Sequence, residues 1–428
     1  MKVTGIICEY NPFHNGHKYH IEQTKQLCKS DYIIGIMSGP FTQRGTPAIT
    51  DKYSRTKTAL LNGIDIILEL PVRYATSSAE GFAHGAVNTL KATNITDSIC
   101  FGTEEGSLNY FIQIADIIEK EPPLFRETLL NELKKGATYP QARNHAINIY
   151  CASSDTAFNT ATGSVTTNIT DINMPNNILA TEYLRACKKA GIDAHTIKRN
   201  DAGYHELSLE KHSDSNNTDS SSYYCSASAI RHELNNLMAC NETASAELEK
   251  YIPYEISDFL SKTLNEDDFS MQLYMALTQN IHCLESFTDI SSNLAARIKN
   301  NLSSFENWTQ YVSLLKTKQI TYTRAQRALC HCLLSLNEAK TDDIYPAPYI
   351  RVLGFRKSAA KLLKHMTKHS EVPVITKAST IHTLSDSIAK KMLTEDIRAA
   401  ELYNKTLAYK YKEYNKINEY THGLVIVD

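Results

Sequence analysis

The sequence has no excess charge of either sign. Lys and Arg number 45 against 47 Asp and Glu, a net charge of −2. A generally basic surface for nucleic acid is therefore excluded, and only local patches could serve that purpose. Long apolar runs are missing as well. The apolar run Val3–Cys8 is cut off by Glu9, too early for a secretory leader or a membrane span, so a cytoplasmic protein without membrane attachment is expected. None of the 10 cysteines forms a C-x-x-C pair, and without an export signal they are expected as reduced, buried small hydrophobes. Cys330-His331-Cys332 carries ligand-type atoms, but neighbouring helical residues face different ways, so no metal site is expected there. What remains is ordinary globular composition, 42% hydrophobic and 21% charged over 428 residues, long enough for two or three domains.

The chain's most informative segment is Glu9-Tyr10-Asn11-Pro12-Phe13-His14-Asn15-Gly16-His17. It follows a β-type run and precedes the helical spacing of Tyr19, Ile21, Thr24 and Leu27. A strand-to-helix turn lies at the carboxyl edge of an α/β sheet, where ligands bind. A helix starting near His17 aims backbone N–H groups and a positive dipole end at that spot, which suits phosphate. Two histidines at this spacing could also be a structural pair or begin a zinc site, though no Cys or acidic ligand follows at helical spacing.

Strands and helices then alternate. Tyr32–Met37, Ile64–Leu70 and Ser98–Phe101 read as buried parallel strands, with helices at Tyr53–Leu61 and Ala79–Leu90. This order implies an α/β, Rossmann-like parallel sheet with right-handed crossovers. Residues 107–150 and 176–190 read as helices and Ile192–Arg199 as a returning strand, while Ser153–Thr170 is polar enough for an exposed loop. His212–Ser222 is low-complexity and polar, so about 206–225 is expected to be mobile, as a lid or as a plain surface loop. Ser226-Ala227-Ser228-Ala229-Ile230-Arg231 opens a helix next. Its hydroxyls suit a cap, or, with the arginine, phosphate oxygens. Past residue 245 the pattern becomes helical (246–260, 269–277, 293–300, 305–315 and 320–335). Basic residues gather there without acids: four between Lys316 and Arg327, and Lys357, Lys361, Lys364 and Lys368 at helical spacing. With Tyr409-Lys410-Tyr411-Lys412 they suit an RNA backbone and unpaired bases, or simply a solvated face. Two domains are expected, 1–245 binding ATP and a basic-faced helical 246–428.

The HNGH turn resembles the signature of the HIGH nucleotidyl-transferase superfamily, and SASAIR resembles its second signature. Further blocks, among them GIICEYNPFHNGH, MSGPFTQRGTPAITDKYSRTKTALLNGIDIILELP, FGTEEG, KKGATYPQARNHA, MPNNILATEYL, LLKTKQITYTRAQR and APYIRVLGF, are similar to the tRNA(Met) cytidine acetate ligase family, in order from residue 1 to about 357. The resemblance implies activation of acetate by ATP as acetyl-adenylate, then acetylation of N4 of the wobble cytidine of elongator tRNA(Met). It implies catalytic roles for His14 and His17, with Arg231 assisting the departing diphosphate. It also implies ATP contacts from Ile7, Cys8, Glu9, Tyr10, Asn11, Pro12, Phe13, His14, Asn15, Gly16, His17, Lys18, Tyr19 and His20, from Gly102, Asn176 and Arg199, and from Ser226 and Ser228. A further ATP contact is implied for Asn200, beside Arg199, although the family commonly has an apolar residue there. Lys52 and Arg55 are candidates for an anion or tRNA contact, with ordinary surface charge as the other reading. Mg²⁺ would come with ATP or be dispensable, and no acidic cluster is assigned to hold it. Two other readings stay open: a small-molecule adenylyltransferase of the same superfamily, and a nucleotide-binding RNA adaptor without activity.

Overall fold

The computed structural model describes residues 1–104, 107–153, 174–199, 223–239, 248–253, 260–337, 347–414 and 418–428. Eight strands form one sheet in the order β5-β4-β1-β2-β3-β6-β7, with β8 on β6. They are β1 (Val3–Cys8), β2 (Tyr32–Ser38), β3 (Ile66–Leu70), β4 (Ser98–Thr103), β5 (Asp193–Lys198), β6 (Ile350–Arg356), β7 (Val374–Ile375) and β8 (Val425–Val427). The first five pair in parallel. Their continuous apolar runs are explained by helices on both faces. The helices in the first half are α1 (Asn15–Cys28), α2 (Lys52–Leu61), α3 (Val72–Ala75), α4 (Ala79–Ala92), α5 (Leu108–Lys120), α6 (Pro123–Lys134), α7 (Tyr139–Ser153), α8 (Pro175–Ala190) and α9 (Ala227–Ala239). One sheet face packs Val3, Ile34, Ile36, Ile66 and Leu68 against Phe82, Val87 and Leu90 of α4. The other packs Ile6, Ile33, Met37 and Ile67 against Ile21 of α1 and Ala59 and Leu60 of α2.

The second half carries α10 (Ser270–Gln279), α11 (Ser292–Asn301), α12 (Trp308–Leu315), α13 (Tyr322–Leu333), α14 (Ala360–His369) and α15 (Ser387–Tyr411). Helices α10–α13 share a core of Leu273, Leu277, Leu294, Ile298, Trp308, Tyr311 and Leu329. Helix α15 joins the two halves: Met392 and Leu393 belong to the sheet core, Ala399 and Tyr403 to the helical one. Among the described residues no helix is long and apolar enough to cross a membrane.

Two expectations change. The second half is mainly helical, yet it also sends three strands into the first half's sheet. Strand β3 is wholly buried, and left at an edge its unpaired N–H and C=O groups would have no water to bond. Antiparallel β6 covers them, with Leu68 opposite Val352. The helix expected over 246–260 is only a 3-10 turn, Leu248–Lys250, in the described part of that span. Pro253 follows; it has no N–H to donate and disfavours helical backbone at Ile252. Most of the loop at 153–170 and the stretch 206–222 lie outside the described residues.

Candidate active site

Beyond Cys8 the chain turns through Glu9–Phe13 into α1. Tyr10 adopts left-handed backbone (φ 48°) and the Asn11–Pro12 bond is cis. The turn is anchored where the Asn11 side chain accepts from the Ile49 N–H at 2.7 Å and where Tyr10 packs on Phe13, ring centroids 4.8 Å apart. His14 is the N-cap of α1. Its Nδ1 accepts from the Gly16 N–H at 3.1 Å, while His17 Nδ1 accepts from the His14 N–H at 3.2 Å. This is a capping box made of two imidazoles.

A backbone amide can only donate, so both Nδ1 atoms are acceptors, and each neutral ring must carry its proton on Nε2. His14 is 2% exposed. Burial, then the charges of Arg199 and Arg231, lower its pKa to about 3, so the ring is neutral at ordinary pH. The two rings stack with centroids 3.7 Å apart. The start of α1 thus presents an imidazole donor pair in addition to its own dipole.

These groups line a cleft of about 940 Å³ at the carboxyl ends of β1, β4 and β5. The Arg199 side chain lies across Gly102, where an added Cβ would stand 3.1 Å from Arg199 Cγ. Asn176 lines the cleft and donates through Nδ2 to Glu104 Oε1 at 2.7 Å. Ser226 Oγ accepts from the Ala229 N–H at 3.1 Å, which is the cap role. Arg231 donates to the Asn11 carbonyl at 2.6 Å and to Ser228 Oγ at 3.1 Å, tying the start of α9 to the histidine turn. Burial lowers the pKa of its guanidinium, with Glu266 and Glu9 opposing the shift.

The HIGH Nucleotidyl Transferase family model matches residues 1–419. Proteins named tRNA(Met) cytidine acetate ligase from Clostridium tetani and Thermoanaerobacter sp. (strain X514) are 35% and 38% identical to the chain. The matches cover 94% and 96% of this chain and 95% and 96% of those proteins. The chain belongs to the tRNA(Met) cytidine acetate ligase family. Crystal structures of Thermotoga maritima TmcAL, apo and bound with alpha-thio ATP, superpose with TM-scores of 0.86 and 0.82. Both are 28% identical over 100% of either chain.

Most of the residues that the ligase family resemblance nominates converge on this cleft. Ile7, Cys8, Glu9, Tyr10, Asn11, His14, Gly16, His17, Tyr19 and His20 line it, as do Gly102, Asn176, Arg199, Ser226, Ser228 and Arg231. Four do not. Pro12 and Phe13 are buried beneath the turn and Lys18 is exposed. Asn15 donates to the carbonyls of Tyr223 (3.1 Å) and Lys250 (2.8 Å), and its N–H to that of Tyr251 (3.0 Å). Asn200 lies outside the described residues.

Lys52 and Arg55 are corrected: neither is an anion contact nor surface charge. Lys52 Nζ is bound by Glu69 (2.8 and 3.0 Å) and Glu419 (2.9 Å). Arg351 joins the same pair of glutamates, at 3.2 Å to Glu69 and 2.5 Å to Glu419. Arg55 donates to the carbonyls of Glu9 (2.8 Å), Ser38 (2.9 Å), Gly39 and Thr50 (3.1 Å), satisfying backbone oxygens where β1 and β2 end.

The sequence reading gave no role to the loop between Phe41 and Pro47, which bridge to each other. Thr42, Gln43, Arg44 and Thr46 of this loop line the cleft, and so do Gln319, Thr321, Thr323, Arg324 and Arg327 at the start of α13. Glu9 Oε1 holds the loop by accepting from the Gln43 N–H (2.7 Å) and Ser38 Oγ (3.2 Å). The acid-free segment Lys316–Arg327 was the available signal. It marked a basic surface but could not say that the surface faces the histidines.

Proposed function

We propose that this chain uses ATP to activate acetate as acetyl-adenylate and then acetylates N4 of the wobble cytidine of elongator tRNA(Met). The observation that carries the reading is the imidazole pair, its protons set on Nε2 by the cap of α1 and flanked by Arg199 and Arg231. In the first step an acetate oxygen attacks the α-phosphorus and the bond to the bridging oxygen of the β-phosphate breaks. Charge grows on the phosphoryl oxygens and on departing diphosphate. Fixed donors already aimed into the cleft favour that charge more than the ground state. His14 and His17 serve the phosphoryl oxygens and Arg231 the diphosphate. The cleft-lining part of Ile7–His20, together with Gly102, Asn176, Arg199, Ser226 and Ser228, holds the nucleotide. In the second step the cytidine amino nitrogen attacks the acyl carbon, the bond to the adenylate oxygen breaks, AMP leaves and the nitrogen loses a proton. The wobble base stands in an anticodon loop and is unpaired, so presenting it costs little.

The reading assigns adenylation to residues 1–245 and tRNA to residues 246–428, in the cytoplasm where both substrates are found. Incubation with labelled acetate, ATP and total tRNA tests it. ATP-dependent label in tRNA is the expected result. Exchange between diphosphate and ATP driven by a phosphorylated small molecule, with no label in tRNA, would instead make the chain a small-molecule adenylyltransferase.

A further inference from the structure

The second half offers two basic surfaces to an RNA, and they differ in where they stand. Lys361, Lys364 and Lys368 are exposed along α14 and Lys357 on the turn before it, and Lys357 is already paired with Asp428. Helix α14 follows β6, three strands from β1 in the sheet. At about 4.8 Å per strand that places β6 roughly 14 Å from the strand that carries the histidine turn. None of these lysines lines the cleft. The segment before and into α13 does, through Gln319, Thr321, Thr323, Arg324 and Arg327.

The wall that these residues make is closely packed. Gly45 has φ +75°, and an added Cβ would lie 2.6 Å from Arg327 Cα and 2.9 Å from its backbone nitrogen. The 41–47 loop is therefore pressed directly on α13. Within the loop the Thr42 and Thr46 hydroxyls bond at 2.7 Å, and the Thr42 N–H donates to the Thr46 carbonyl at 2.9 Å. Arg44 is presented from this closed loop.

Charge divides the cleft further. Seven arginines and one lysine line it against four glutamates, in a chain whose net charge is −2. The cations that act on His14 are Arg199 and Arg231. Arg44 has Arg231 and Glu9 as its charged neighbours. Arg324 is grouped with Arg327 about Asp289. Arg327 is committed to Asp289 at 3.0 Å, whereas Arg324 is half-buried on the cleft wall. Tyr322, 39% exposed on the same first turn, adds a face on which an unpaired base can stack.

We propose that Arg44 and Arg324, with the hydroxyl and amide groups of Thr321, Thr323 and Gln319, bind backbone phosphates of the RNA strand entering the cleft. The α14 lysine face is not the site. This rests on the proposed function and deepens it. Triphosphate oxygens of ATP share the chemistry, but they have Arg199, Arg231 and the α1 cap at the histidines. The outer wall is left for phosphates that reach the cleft with a longer ligand.

Two assays separate the sources. Acetate-dependent exchange between diphosphate and ATP, without tRNA, reads the first step. Acetylation at varied tRNA concentration and salt reads the second. Arg324→Ala and the milder Arg324→Gln are expected to raise KM for tRNA about tenfold and to lower the salt slope by about one ion per lost phosphate contact. Exchange and its KM for ATP should stay within about twofold, and the double variant Lys361→Ala/Lys364→Ala should leave KM for tRNA unchanged. An unaltered KM for tRNA in both Arg324 variants overturns the inference. So does a raised KM for ATP in exchange, which would assign the wall to the triphosphate, or a tRNA defect in the lysine variant alone. Wild-type protein that neither exchanges with acetate nor labels tRNA overturns the function itself, and that is read without any variant.

Discussion

His14 has two jobs that substitution can separate. Its Nδ1 caps α1 and its Nε2 carries the proton offered to the cleft. His14→Ala removes both. A lost N-cap costs about 1 kcal/mol, and with 428 residues at roughly 2.1 cal/mol/K each the unfolding entropy is about 0.9 kcal/mol/K, so Tm falls by about 1 °C. The lost donor is the larger effect. One donor to charge developing in the transition state is worth about 3 kcal/mol, or 10²–10³ in rate. His14→Asn separates the two, since asparagine is among the best N-caps but its amide is too short to place a donor where Nε2 stands. Acetate-dependent ATP–diphosphate exchange should therefore fall 10²–10³-fold in both variants, while scanning calorimetry should show the asparagine variant within about half a degree of wild type. Exchange above a tenth of wild type in His14→Asn would refute the donor role. Equal loss of Tm in both variants would refute the capping argument.

Three more outcomes follow from the same geometry. Lys52→Met leaves Glu69 and Glu419 with one cation, Arg351, in a site that is almost fully buried, which should cost about 3–5 kcal/mol and a similar number of degrees in Tm; KM for ATP should not move, and a rise would restore Lys52 as an anion contact. Gly45→Ala forces a side chain into left-handed backbone, at about 1–2 kcal/mol, and against the α13 backbone; KM for tRNA should rise about tenfold while exchange stays near wild type. Acid should destabilise the fold through His14. Its folded pKa of about 3 lies below the ordinary 6.5, so its neutral form is favoured by folding; that stability is complete above pH 6.5 and drains as pH falls toward 3, by about 2 kcal/mol at pH 5. Thermal unfolding across pH 5–7 should show this slope in wild type and a shallower one in His14→Asn, where His84 and His331, whose pKa values burial also lowers, keep their share. Glu419 adds to acid sensitivity lower down: burial pushes its pKa up, but Lys52 and Arg351 outweigh that and hold it to about 2, so its contribution is present above pH 4.5 and lost below.

What the sequence made legible was local. The apolar runs of β1 to β4, the helices between them and the strand-turn-helix setting of HNGH follow from period and punctuation over a few residues, and they placed the cleft at the right edge of the sheet. The burial of Lys52 did not follow, because its partner Glu419 is 367 positions away, and a lysine on a helix reads as solvated until such a partner is known. Strand β6 was missed for a similar reason: IRVLGFR is a plain strand pattern, but its need comes from the open edge of β3. Arg44 and Arg324 each looked like one charge among many. The contact of Gly45 with the α13 backbone brings their elements together, and that contact has no sequence period.

The three-residue spacing of the histidines has its own physical reason. A capping box joins the N-cap residue to the third residue of the first turn, and His14 and His17 hold those two positions. Serine, threonine or aspartate at the cap and glutamate at the third position would start the helix as well, but an ionised carboxylate has no proton to offer and a cap hydroxyl holds its proton close to the backbone. An imidazole has a second nitrogen on the far side of the ring, so it can accept from the backbone with one atom and still offer a proton with the other. The accepted hydrogen bond also fixes which nitrogen holds the proton, and burial beside Arg199 and Arg231 keeps the His14 ring neutral. The helix start therefore sets the tautomers, and the tautomers aim the donors. Replacement of either histidine by the usual capping residues should preserve α1 and lose the Nε2 donor, because the spacing serves the helix and, in the proposed adenylation, the ring serves the phosphate.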